Sequence, residues 1–80
     1  MIENISKTRI IQLINKSLKE VSVTENMENI DLGAIGLDSL TFVQLIVNIE
    51  DEFNCKIPDS KLILSQMNTV NKIFDILSNL

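Results

Sequence analysis

The chain has 80 residues, 45% of them hydrophobic, and a formal net charge of −4, enough for one domain with a modest core and a thin stability margin. Its only aromatic residues are Phe42, Phe53 and Phe74, and it has no histidine, two glycines, one proline and one cysteine. Leu, Ile and Val must therefore fill the core, and the scarcity of turn residues argues for helices.

The charge is unevenly spread. Residues 1–20 hold four bases and two acids, residues 21–54 hold seven acids and no base, and residues 55–80 hold three bases and two acids. An acidic middle repels phosphate backbones, so nucleic acid is not an expected partner. It attracts basic protein surfaces, or it is simply a solvated face. No apolar run approaches membrane-spanning length, so no membrane insertion is expected. No basic region followed by an apolar stretch marks a secretory signal. The lone Cys55 cannot form an internal disulfide, which fits a reducing cytoplasm.

The first helix is expected over residues 6–21. Ile10, Ile11, Leu13, Ile14, Leu18 and Val21 recur at helical spacing, with Lys7, Arg9, Lys16 and Lys19 mostly on the other side. Residues 22–38 read as a long ordered loop, anchored by Val23, Met27, Ile30, Leu32, Ile35 and Leu37. A loop of that length in a compact domain usually has a task, and here it would present Asp38 and Ser39 at the surface.

The second helix is expected over residues 39–53, capped by Asp38 or Ser39. Phe42, Leu45, Ile46, Ile49 and Phe53 form its core stripe. Leu40, Thr41, Gln44, Val47, Asn48 and Asp51 fall on the opposite side. Two of these, Leu40 and Val47, are apolar, which suits a partner surface as well as chance exposure. Pro58 disfavours helix at Ile57, and Asp59 caps a short helix over residues 60–64. Thr69 caps a last helix running to residue 78, with Val70, Ile73, Phe74, Ile76, Leu77 and Leu80 on its apolar side. The expected fold is all-α: a small four-helix bundle of three longer helices and one short one, with a long loop between the first two. The whole chain, residues 1–80, forms one domain and is expected to be a monomer, because one core uses its apolar stripes.

Ser39 stands at the mouth of the second helix, directly after an acid. With no histidine in the chain, the common base that would activate a serine is absent. No Cys-His pair, His/Cys metal cluster or glycine-rich phosphate loop is present either. Glu50 and Asp51 are consecutive on a helix, which suits solvation better than acid–base work. Neither catalytic residues nor a metal site are therefore expected. Ser39 reads as a helix cap or as a place of attachment. Cys55, far from Ser39 in sequence, reads as a small half-buried filler.

Gly36-Leu37-Asp38-Ser39-Leu40 resembles the phosphopantetheine attachment motif of acyl and peptidyl carrier proteins. The resemblance continues through Leu45-Ile46-Val47-Asn48-Ile49-Glu50-Asp51-Glu52-Phe53, Ile57-Pro58-Asp59 and Asn68-Thr69-Val70, so that it spans residues 30–80. A lone Asp-Ser-Leu is weak; these blocks in order make a specific signal. The resemblance implies a freestanding carrier protein. Its Ser39 would receive 4'-phosphopantetheine from coenzyme A through a phosphopantetheinyl transferase and Mg²⁺, and the arm would carry acyl or aminoacyl groups as thioesters. It further implies that Asp38 helps the transferase place its metal and coenzyme A, that Leu40 touches the transferase and other partners, and that Glu50 and Asp51 match acidic recognition positions. The implied partner face is Leu40, Thr41, Gln44, Val47, Glu50 and Asp51. The implied partners are the transferase, an acyl- or aminoacyl-loading ligase and downstream synthase enzymes.

Two departures shape the expectation. Many fatty-acid carriers place acids two and five residues after the serine, where this chain has Thr41 and Gln44. The segment between Asp59 and Thr69 is also longer and less acidic than in that type. Both lean towards a specialised pathway (polyketide, nonribosomal-peptide-like or D-alanyl). A housekeeping carrier of fatty-acid synthesis is the first alternative. An unmodified helical interaction module is the second.

Overall fold

The computed structural model describes residues 5–18 and 22–80. Three α-helices carry the fold: α1 (Lys7–Ser17), α2 (Ser39–Phe53) and α3 (Val70–Ser78). Single 3₁₀ turns lie at Glu25–Met27, Leu32–Ile35, Asp59–Lys61 and Leu64–Gln66. Among the described residues there is no strand.

Each helix begins at a side chain that satisfies an otherwise orphaned backbone donor. The Ser6 hydroxyl accepts from the Arg9 N–H at 3.2 Å, and the Thr69 hydroxyl accepts from the Lys72 N–H at 3.1 Å. Asp38, not Ser39, caps α2. That helix ends at Asn54, which takes the left-handed conformation with φ 50°, a common helix stop for Asn. The first helix is shorter than expected, with Leu18 as its C-cap. The expected continuation through Val21, with Lys19, lies outside the described residues.

Both other helices pack on α1. Ile10 and Ile14 of α1, Leu45 and Ile49 of α2, and Val70, Ile73 and Leu77 of α3 are wholly buried. The expected α2 stripe of Phe42, Leu45, Ile46, Ile49 and Phe53 is buried throughout. On α3, Phe74 and Ile76 are only partly covered and pack at the core's edge, as does Leu80 just beyond the helix.

The expected fourth helix over residues 60–64 does not form. Two 3₁₀ turns take its place, separated by Leu62 and Ile63. Ile63 is extended, with φ −123° and ψ 124°. Leu62 and Leu64 turn inwards while Ile63 faces solvent. That alternation is the period of extended chain, not of a helix, and β-branched Ile63 favours it. The architecture is therefore three helices with 3₁₀ connections.

The segment before α2 is held along its length. The Asn15 side chain accepts from the Val23 N–H at 2.6 Å and donates to the Val23 carbonyl at 3.0 Å. The Leu32 N–H donates to the Asn68 carbonyl at 2.7 Å, and the Asn71 N–H donates to the Glu28 carbonyl at 3.1 Å. Val23, Leu32 and Leu37 enter the core, and Met27 and Ile35 pack against it. Ile30 is the exception among the expected anchors, because it is 39% exposed. It follows a turn whose backbone is already tied down through Glu28 and Leu32.

The bases of α1 meet acids from the middle of the chain. Arg9 pairs with Glu52 and its guanidinium lies 4.9 Å from the Phe53 ring centre. Lys7 pairs with Glu28 at 3.4 Å and lies 5.5 Å from the Phe74 ring centre.

Gly36 ends the turn before the Asp38-Ser39 pair with φ 128°. No atom lies within 4 Å of where its Cβ would stand, so backbone conformation alone demands glycine there. Gly36→Ala is expected to destabilise the fold by about 1 kcal/mol or more, through strain at positive φ. Urea unfolding of both proteins measures it; an unchanged midpoint would show that the turn relaxes freely.

Candidate functional site

The start of α2 is locked by two side chains. The Asp38 carboxylate accepts from the Thr41 N–H and from the Thr41 hydroxyl, each at 2.9 Å. The Thr41 hydroxyl in turn accepts from the Asp38 N–H at 2.8 Å. This reciprocal capping box satisfies the donors at both ends of the turn. The Thr41 N–H, followed by its hydroxyl, holds the Asp38 carboxyl below its ordinary 3.8.

The consequence falls on Ser39. It is exposed, it opens the helix, and its hydroxyl has no hydrogen-bond partner among the described residues. Of the two sequence readings, capping belongs to Asp38, and the serine hydroxyl is left available to another molecule. It stands at the positive end of the helix dipole, which favours a phosphate ester.

A groove of about 390 Å³ opens at Ser39, lined by Phe42, Val43, Ile46, Val47, Leu62 and Leu64. Its α2 wall is the margin of the core stripe. Its other wall is the alternating Leu62–Leu64 segment. The Lys72 ammonium donates to the Ser65 carbonyl at 3.1 Å and the Asn68 side-chain oxygen at 3.0 Å, tying that wall to α3. A phosphate-linked chain with an apolar extension fits this combination of free hydroxyl, helix start and apolar groove.

The remaining residues expected on the partner face separate into two groups. Leu40, Gln44, Val47 and Asp51 are exposed along α2. Thr41 is half-buried in the capping box. Glu50 is also half-buried, and its carboxylate accepts from the Ile57 N–H at 2.9 Å, closing the turn after α2. Val43 is 58% exposed beside Leu40 and Val47. Sequence reasoning passed over it, although its spacing from Leu40 and Val47 puts it on their side of the helix. The Asp38-to-Thr41 spacing likewise carries the capping-box signal.

Cys55 lies past the far end of α2, about 22 Å along the helix from Ser39 at 1.5 Å per residue. Burial first, and then the charge of Glu50, push its thiol above the ordinary 9.0. A half-buried thiol kept protonated suits packing and not nucleophilic chemistry. Among the described residues no group of three or more His, Cys, Asp or Glu side chains could hold a metal, and no helix is long and apolar enough to cross a membrane.

Residues 8–77 match the protein family described as "Phosphopantetheine attachment site". An acyl carrier protein homolog of Ureaplasma parvum is 39% identical, the alignment covering 85% of this chain and 94% of the relative. A D-alanyl carrier protein of Streptococcus equi subsp. zooepidemicus is 40% identical, covering 85% of each chain. A D-alanyl carrier protein of Streptococcus pyogenes serotype M5 is 41% identical, covering 80% of each. No solved structure matches.

Two outcomes test the site. In Thr41→Val, which keeps the backbone N–H bond but loses the hydroxyl, the Asp38 pKa rises towards 3.8. Because the folded value is depressed, the associated stability is complete above the unfolded value and is lost as pH falls through the folded one. A carboxyl NMR titration and an acid unfolding curve measure both; an unchanged Asp38 titration would remove the hydroxyl from the argument. Separately, Cys55 in the folded protein reacts with iodoacetamide at mildly alkaline pH more slowly than it does in urea. Equal rates would mean that the thiol is not protected.

Proposed function

Since the chain belongs to the phosphopantetheine attachment family of carrier proteins, we propose that it carries acyl or aminoacyl groups on a 4'-phosphopantetheine arm joined to Ser39. The observation that carries this reading is the serine hydroxyl left without a partner because Asp38 and Thr41 make the cap. The arm, bound there, supplies a terminal thiol that holds the cargo as a thioester.

The chain's own residues do the positioning. The capping box fixes the first turn, so Ser39 is offered from a rigid helix and not from a loop. Asp38, kept ionised, is the nearest acid for a transferase that brings Mg²⁺ and coenzyme A. The apolar groove at Ser39 gives the arm or its cargo a surface to lie against. In this reading the domain, residues 1–80, performs no chemistry. Tethering raises the effective concentration of the intermediate at each partner enzyme: the transferase, a loading ligase and the enzymes that take the cargo.

We favour a specialised aminoacyl carrier of the D-alanyl kind. Two streptococcal relatives bear that name, and Thr41 and Gln44 leave the first turns of α2 without the acids common in fatty-acid carriers. The acyl reading is the alternative, supported by the Ureaplasma relative and by a groove apolar enough to take a short alkyl chain.

The test is intact mass after incubation with coenzyme A, Mg²⁺ and a broad-specificity phosphopantetheinyl transferase. A gain of one phosphopantetheine is expected, absent in Ser39→Ala. A chain that stays unmodified beside a carrier modified in the same tube would favour the unmodified interaction module.

A further inference from the structure

Two asparagines grip the segment that leads to Ser39. Asn71 lies in the first turn of α3. Its N–H donates to the Glu28 carbonyl at 3.1 Å, and its side-chain amide donates to the Asn29 side-chain oxygen at 2.6 Å. Asn68 lies just before the Thr69 cap. Its carbonyl accepts from the Leu32 N–H at 2.7 Å, and its side-chain amide donates to the Asp31 carboxylate at 3.2 Å. Each asparagine thus makes one backbone bond and one side-chain bond to consecutive residues of the loop.

The two clamps lead to different places. The Asp31 oxygen that meets Asn68 also accepts from the Gly33 N–H at 2.9 Å, capping the turn Leu32–Ile35. The Leu32 carbonyl accepts from the Gly36 N–H, and from the Leu37 N–H at 2.9 Å. Leu37 is buried, and Asp38 follows it into the capping box. A path of hydrogen bonds therefore runs from Asn68 through Asp31 and Leu32 to Leu37, the neighbour of Asp38. In the other direction, the Asn68 side-chain oxygen accepts from Lys72 at 3.0 Å, and the same ammonium bonds the Ser65 carbonyl at 3.1 Å, beside the groove. A carboxylate on one side of the Asn68 amide and an ammonium on the other polarise it, so each bond strengthens the other. Glu28 and Asn29, held by Asn71, lie upstream of the turn, with the exposed Ile30 between.

We propose that Asn68 is a positioning residue for the modification of Ser39: its side chain fixes the turn that sets Asp38 beside the serine, and links that turn to the groove wall. The proposal rests on the carrier reading above. The capping box fixes Asp38 and Thr41 relative to each other, but the chain entering the box must be held from its other end. The Leu32 bond to the Asn68 backbone holds the turn at one point, about which it can rotate. The Asp31 bond to the Asn68 side chain adds a second point and stops that rotation. Modification needs the Ser39 hydroxyl, the Asp38 carboxylate and the transferase's reactants in one geometry, and a small misplacement slows such a step. A fault of this kind falls on kcat and leaves KM alone.

The probe is a broad-specificity phosphopantetheinyl transferase with coenzyme A and Mg²⁺. The readouts are kcat and KM for the carrier, and the amide NMR shifts of Asp38 and Ser39. Asn68→Asp keeps an acceptor for Lys72 but sets a carboxylate against Asp31. It is expected to lower kcat about tenfold with KM within about twofold, as a misplaced reacting group does, and to move both amide resonances. Asn68→Ala, which adds no charge, gives the same direction if Asn68→Asp does not fold. Adding Asp31→Asn to Asn68→Asp returns a donor and an acceptor to the same two positions. That double variant is expected to bring kcat back to within about threefold of the original, the signature of a direct pairing, and to return the resonances. Asn71→Ala loosens the other clamp and is the control: it lowers the unfolding temperature and leaves kcat within about twofold. A fall in kcat for Asn71→Ala equal to that for Asn68→Asp would mean general loosening of the loop and overturn the proposal. So would a loss that appears in KM alone, or one that the double variant does not repair. No modification of the unaltered chain is a different result: it removes the carrier reading, and this proposal falls with it.

Discussion

The structure turns on one short hydrogen-bonded ring at the start of α2. A helix start leaves donors that something must satisfy, and the residue best placed to do so is often a serine. Here Asp38 and Thr41 satisfy them between themselves. Ser39 is thereby relieved of a structural task. Its hydroxyl can take a substituent without uncapping the helix, so modification and stability are uncoupled at this residue. The segment before α2 serves the same end. Asn15 grips Val23, Leu32 bonds to Asn68, and Gly36 makes a turn that another residue would strain. The loop is ordered because its end has to be placed.

Charge in this chain has a different meaning in the fold than along the sequence. Read linearly, a basic beginning precedes a strongly acidic middle. Folded, α1 lies between α2 and the loop, and its Lys7 and Arg9 reach Glu28 and Glu52. Exposed ion pairs of this kind contribute little each, and the aromatic rings beneath both bases add to them. Their larger effect is on what remains. Glu50 and Glu52 are engaged, so of the acids late in α2 only Asp51 has no ion-pair partner among the described residues, and the exposed Leu40, Val43 and Val47 are the main feature beside Ser39.

The sequence made the buried pattern legible where period and composition agree. Every expected core position of α2 is buried, and so is each of the α1 positions through Leu18. Helices were readable because a stripe of branched aliphatics at helical spacing has few other solutions in so short a chain. The site was readable as a motif, but its division of labour was not. Whether Asp38 or Ser39 caps the helix depends on a rotamer, and Glu50's bond to Ile57 depends on the path of the chain after Asn54. Ile30 shows the limit of counting apolar anchors: a backbone already tied at Glu28 and Leu32 does not need a third one. Val43 lies at the edge of the core stripe, next to Phe42, where helical spacing alone does not decide between burial and exposure.

The lack of a helix over residues 60–64 explains the groove. A helix across residues 60–64 would have turned Leu62 and Leu64 to different sides, since positions two apart do not share a helix face. In the extended arrangement they share one, with Ile63 pointing away. That places two leucines opposite Phe42, Val43, Ile46 and Val47, and it leaves space between them. Both α2 and α3 pack on α1, so the side of α2 nearest Ser39 is closed by this thin segment and not by a helix. That segment is closed by short-range backbone bonds of its own, among them the Leu62 N–H to the Asp59 carbonyl at 3.1 Å and the Gln66 N–H to the Ile63 carbonyl at 2.8 Å. Lys72 adds bonds to the Ser65 carbonyl and the Asn68 side chain, and the wholly buried Met67 anchors the segment in the core. The absence of a fourth helix thus leaves an apolar groove at the serine hydroxyl that the cap leaves open.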